Sequence, residues 1–155
     1  MARLATLVLL VGLLVADVSR AEEHPPELVV ITHPSRAIAI DADDLRRIFL
    51  KQRRFWPDGA AIVPVNQEDG VLREIFDRDV LQSEPARLAV YWDRRYFEGV
   101  FPPITLASDE AIRRYVAAKP NAIGYVDARA VDESVHAAFR LSPPPESRPT
   151  APSAR

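Results

Sequence analysis

Cysteine is absent from the 155 residues. That excludes a disulfide framework, a thiolate metal site and a cysteine nucleophile. Histidine is scarce: His24, His33 and His136 are scattered, and His33 beside Pro34 has no second histidine or carboxylate at metal-ligand spacing. No zinc or other metal site is expected from such material. Glycine is scarce as well, with five residues, and no G-x-S-x-G elbow, Walker loop or G-x-G-x-x-G occurs. Neither charge sign dominates. Lys+Arg 20 against Asp+Glu 22 leaves a formal charge of −2, so the composition is not that of an electrostatic nucleic-acid binder. No residue constellation nominates a nucleophile or a cofactor, and the chain reads as non-enzymatic.

What is present is 48% hydrophobic and 27% charged, enough for one globular domain with a core. The two ends stand outside it. Arg3, the apolar stretch Leu4 to Ala16 and the small residues Ser19 and Ala21 form a secretory signal over 1–21, with export to the periplasm. The apolar run is shorter than the ~20 residues of a membrane-spanning helix, so no span is expected after cleavage. An uncleaved anchor helix is the alternative, opposed by Asp17 and Arg20 close to the run. At the other end, 142–155 holds five of the 14 prolines and no large apolar residue. It is expected to be a disordered tail, because it cannot bury enough surface to offset its ordering entropy. The domain is then 22–141.

Within the domain, strands and helices interleave. Leu28 to Thr32 is a continuous, β-branched apolar run and reads as a buried strand. Asp41 followed by Asp43 and Asp44 starts a helix carrying Leu45, Ile48 and Phe49, with Lys51, Arg53 and Arg54 after its last turn. Ala60 to Val65 is a second strand, Asn66 to Gly70 a loop, and a helix follows with Leu72, Ile75, Phe76, Val80 and Leu81 on its apolar side. Ser83 before Glu84-Pro85 starts another helix, for which Leu88, Tyr91, Trp92 and Phe97 predict a wide aromatic inner face. Ile104 to Leu106 is a short strand, Ser108 caps a helix with Ile112, Tyr115 and Val116 inside, and Ala122 to Val126 and Val135 to Leu141 are the last strands. This order predicts an α/β three-layer sandwich with a mixed, mostly parallel sheet.

The acidic pairs Asp43-Asp44 and Asp109-Glu110 read as first-turn residues that complement a helix dipole. The basic cluster Lys51 to Arg54 reads as a solvated helix end, with anion binding as the sharper alternative. The strand–loop–helix unit around Asn66 to Gly70 is the candidate site, since a helix start offers unpaired N–H groups to an anion. Glu68 and Asp69 oppose this by occupying the same entrance, and Arg73 in the first turn counters one of them.

Several motifs occur in a fixed order: Leu45-x-x-Ile48-Phe49-Leu50, Trp56-x-Asp58-Gly59, Pro64-Val65, Arg73-x-x-Phe76, Tyr91-Trp92 and Asn121-Ala122-Ile123-Gly124-Tyr125-Val126. Together they resemble the phosphate-binding proteins of bacterial ABC transporters, and especially their short single-domain relatives. The resemblance implies a periplasmic-binding-protein type II-like lobe, a secreted location, and binding of a small anion such as phosphate without chemistry. It also implies where gripping groups are lost. The family's Ser-Gly-Thr triplet falls on Gly70-Val71-Leu72, and its upstream arginine on Asn66. What the resemblance leaves for a ligand is Thr32 and Ser35, the backbone amides at Gly70, Val71 and Leu72, and Arg73. A periplasmic protein partner is the alternative to a small ligand.

Overall fold

A computed structural model of the chain describes residues 25–141. The expected signal at 1–21 and tail at 142–155 lie outside them. β1 (Leu28–Thr32) is buried at all five positions. Its side chains alternate between two apolar clusters, Leu28 and Val30 into one, Val29 and Ile31 into the other. A strand buried on both faces has no polar alternation, which is why the run is continuous. α1 (Ala42–Phe49) is capped as its sequence predicts, with the Asp41 side chain accepting from Asp44 N at 2.7 Å. Arg53 beyond its end pairs with Asp44 at 2.8 Å, and Lys51 turns the chain with φ 57. The basic cluster thus closes a helix.

β2 (Val63–Gln67) is followed by α2 (Val71–Ile75), which widens into a π-helical turn over Phe76–Val80. α3 (Pro85–Phe97), β3 (Ile104–Leu106), α4 (Asp109–Ala118), β4 (Ala122–Asp127) and β5 (His136–Arg140) complete the order. α4 is capped by Ser108, whose hydroxyl accepts from Ala111 N at 3.2 Å. β2 runs two residues past its expected end because Asn66 and Gln67 pair with Thr105 and Leu106 of β3. α3 begins at Pro85 with Glu84, not Ser83, at the cap position.

The sheet order is β3-β2-β4-β1-β5. β2 is parallel to β3 and β4, while β1 is antiparallel to β4 and β5. Four strands therefore run one way and only β1 runs against them, a mixed and mostly parallel sheet. Two apolar clusters cover it: Leu45, Phe49, Phe76 and Leu88 lie on one face, Ile112 and Val116 of α4 on the other. That is the three-layer α/β sandwich.

The aromatic inner face expected of α3 is corrected. Only Leu88 is fully buried, and Tyr91 and Trp92 are partly so. Phe97 is 87% exposed. The reason is periodicity itself: the turn of 3.6 residues that aligns Leu88, Tyr91, Trp92 and Arg95 places position 97 on the opposite side of the helix.

On the α4 face the sheet is approached closely at Gly124. A Cβ there would lie 2.6 Å from Ile112 Cγ2 and 3.5 Å from Val116 Cγ2. Both neighbours are branched at Cβ and stiff in a helix. Gly124→Ala is therefore expected to cost about 1–3 kcal/mol by overpacking. Urea unfolding measures it, and Ile112→Val, which keeps that methyl, should not relieve it, whereas Ile112→Ala should recover part.

Candidate functional site

The turn from β2 into α2 is held from behind. Tyr125, fully buried on β4, stacks on Phe76 with ring centroids 4.1 Å apart, and Phe49 meets Phe76 edge-on at 4.6 Å. The Tyr125 hydroxyl accepts from Gln67 N at 3.2 Å. Burial pushes its pKa up to about 12. The end of β2 is thus set by a buried phenol.

Beyond Gln67, Gly70 precedes α2 with an extended backbone, φ 162 and ψ 176, which any residue can adopt. No side chain caps α2. A cavity of about 300 Å³ opens at this turn, lined in part by Gly70, Val71 and Leu72. Its walls carry four carboxylates, Glu68, Asp69, Asp109 and Asp127, against the single cation Arg129. Arg129 is already committed to Asp127 at 2.8 and 2.9 Å, and holds that carboxyl below the usual range. Asp109 accepts from the Gln67 side chain and from Asp127 N. The entrance is electronegative. Among the described residues no group of three or more ligating side chains is arranged to hold a metal ion.

Arg73 does not reach into this cavity as a free cation. Its Nε donates to both oxygens of Asp77 at 2.9 and 2.8 Å, and Nη1 to Gln67 O at 3.4 Å. Asp77 is 6% exposed. Burial pushes its carboxyl above the usual value, Arg73 opposes the shift, and the charge of Asp69 adds to it. The i,i+4 spacing of Arg73 and Asp77 was a readable sign of this pairing. Asn66, where the resemblance places an arginine, is buried, and its Oδ1 has no partner among the described residues.

Thr32 and Ser35 lie elsewhere. Because β1 is antiparallel, its C-terminal end meets the N-terminal ends of its neighbours: Thr32 pairs with Ile123, which pairs with Pro64. Gln67 is three residues further along β2, roughly 10 Å away at ~3.3 Å per residue, and Ser35 continues in the other direction. The two hydroxyls and the Gly70–Arg73 segment do not converge on one pocket. Thr32 Oγ1 donates to Arg36 O at 2.9 Å, and Ser35 Oγ lies 2.8 Å from His33 Nδ1. Arg36 is the organiser of that end. It donates to Pro120 O, Asn121 Oδ1 and Asp58 Oδ2 at 3.0, 2.9 and 3.1 Å, and lies 4.8 Å over the Trp56 ring. Trp56 Nε1 donates to Asn121 O at 3.2 Å. The Trp-x-Asp-Gly and Asn-Ala-Ile-Gly-Tyr motifs are thus joined as scaffold.

The described residues form an α/β sandwich with a cavity at the β2–α2 turn, at one end of its sheet. Its fold is similar to that of solved phosphate transport proteins. A Clostridium perfringens protein assigned as a phosphate ABC transporter substrate-binding protein, with phosphate bound, matches with a TM-score of 0.57 and 24% identity over 72% of this chain and 44% of that one. An ABC-type phosphate transport receptor from Vibrio cholerae matches with a TM-score of 0.54 and 14% identity over 72% and 45%. PstS from Borrelia burgdorferi matches with a TM-score of 0.53 and 18% identity over 76% and 47%. The likeness is one of fold, and the chain spans less than half the length of each. No family model matches the sequence, and no curated protein matches it.

The raised carboxyl of Asp77 has a signed consequence. The native state holds that proton more tightly than the unfolded chain, so its contribution to stability is fully present below the ordinary value of 3.8 and is lost as pH rises through the native pKa. Thermal midpoints of wild type relative to Asp77→Asn should therefore fall as pH rises through this window. A difference that grows with pH would reverse the assignment.

Proposed function

We propose that the chain is a non-enzymatic solute-binding lobe, exported to the periplasm by its N-terminal segment, that takes phosphate or another small anion only weakly at the β2–α2 turn. The observation that carries this reading is the cavity at an uncapped helix start, within a fold similar to that of a protein solved with bound phosphate. The weakness has three sources. Gly70, Val71 and Leu72 supply no hydroxyl, Asn66 stands where the resemblance places an arginine, and Arg73 is engaged by Asp77. Hydrogen bonds to a charged group contribute ~1.5–3 kcal/mol each. Losing three weakens binding by several orders of magnitude, at ~1.4 kcal/mol per tenfold. The lining carboxylates add repulsion.

Calorimetry of the mature domain should show phosphate saturating only in the millimolar range, with a matching rise in thermal midpoint. Asp69→Asn should tighten it several-fold. Absence of both heat and thermal shift removes the anion reading, and micromolar capture removes the account of its weakness.

A second reading, a protein-interaction module that keeps the fold without the ligand, is favoured by one feature. Tyr96, Phe97 and Phe101 are 60%, 87% and 60% exposed, with the Tyr96 ring edge-on to both phenylalanines. Exposed aromatic patches of this kind mark interaction surfaces. Under this reading a periplasmic extract yields a partner that Phe97→Ala no longer retains; recovery of the bait alone counts against it.

A further inference from the structure

The groove between α2 and α3 has walls of opposite character. One wall is apolar, formed by Leu88 and Trp92 of α3; the other carries Asp69, Arg73, Glu74 and Asp77. The enclosed volume is about 530 Å³, within the range of small-molecule sites. Three carboxylates face one guanidinium, and that guanidinium is already spent on Asp77. Both Asp77 oxygens accept from the Nε–H of Arg73, the one donor they share. An ionised carboxylate offers about four acceptor sites, so a nearly buried group on the groove wall retains acceptor capacity.

We propose that this groove binds a small organic cation, an ammonium or guanidinium attached to an apolar group, with the cationic head on Asp77 and the apolar part against Trp92 and Leu88. The head adds donors to Asp77 beyond the shared Nε–H of Arg73 and sits among the charges of Asp69 and Glu74. Trp92 lines the groove, and an indole attracts a cation. The buried, partly neutralised Asp77 gives orientation, while the apolar wall gives the area from which most affinity in such sites arises. An anion is disfavoured in the groove by the same carboxylates. The groove shares Asp69 and Gly70 with the cavity at the β2–α2 turn but takes a ligand of opposite charge, so failure of phosphate to bind leaves this proposal standing and failure of the cation leaves the anion reading standing.

The test is titration of the full chain with benzylamine, read by Trp92 fluorescence and by calorimetry, with benzyl alcohol as the neutral isostere. Saturable binding of benzylamine is expected in the millimolar range or tighter, with benzyl alcohol weaker by about tenfold. Trp56 is the other tryptophan and is buried away from the groove, so Trp92→Phe should remove the optical signal while calorimetric binding persists. Asp77→Asn should weaken binding by about tenfold or more. Glu74→Gln, an exposed change that spares the fold, should weaken it by a few-fold and keeps the test decisive where Asp77→Asn unfolds. Equal affinity for the amine and the alcohol, no effect of Glu74→Gln, or no saturation by benzylamine overturns the proposal.

Discussion

The missing side chain at Gly124 is the constraint on which the rest of the lobe depends. β4 lies in the middle of the sheet and is buried along its whole length. On one face it shows Ala122, Gly124 and Val126, and α4 settles there with Ile112 against the bare Cα. On the other face the same strand carries Ile123 and Tyr125. Close packing on the first face fixes how far Tyr125 reaches on the second. That reach places its ring on Phe76 and its hydroxyl under Gln67 N, which sets the point where β2 stops and the β2–α2 turn begins. A contact on one side of the sheet is therefore linked through β4 to the β2–α2 turn, as expected of an interior packed to crystal-like density.

Charge gives that turn its character. In a short helix with no capping side chain, the orphan amides favour an anion. Here the surrounding carboxylates and the withdrawal of Arg73 to Asp77 counter them. The fold, similar to that of solved phosphate transport proteins, thus presents an electronegative surface at this turn. Asp69 lines both the cavity at the turn and the neighbouring groove, where Glu74 and Asp77 join it and Trp92 and Leu88 supply apolar surface. Both readings rest on the placement of a few carboxylates and on the Arg73–Asp77 pair, which withholds the guanidinium from an anion.

The motifs that carried the resemblance prove to be of two kinds. Phe49, Phe76 and Tyr125 meet in one aromatic cluster, and Trp56, Asp58 and Asn121 meet around Arg36. Both assemblies are structural. They explain why a chain can look like a binding protein along its sequence while the groups expected to grip an anion are absent or engaged. Resemblance through packing residues reports the frame, and ligand chemistry has to be read from other positions.

The sequence by itself determined the helix starts at Asp41 and Ser108, the doubly buried β1 and β4, and the lack of thiol chemistry, because caps, periodicity and composition are local properties. It also held the Arg73–Asp77 pair in its i,i+4 spacing. The direction of β1 was decided only by the tertiary structure. An apolar run buried on both faces fits a parallel or an antiparallel neighbour equally well, and that choice sent Thr32 and Ser35 to the end of the sheet away from Gly70. The groove wall at Trp92 was likewise decided by packing, since only the docking of α3 brings Trp92 and Asp77 to one groove, residues that no local pattern relates.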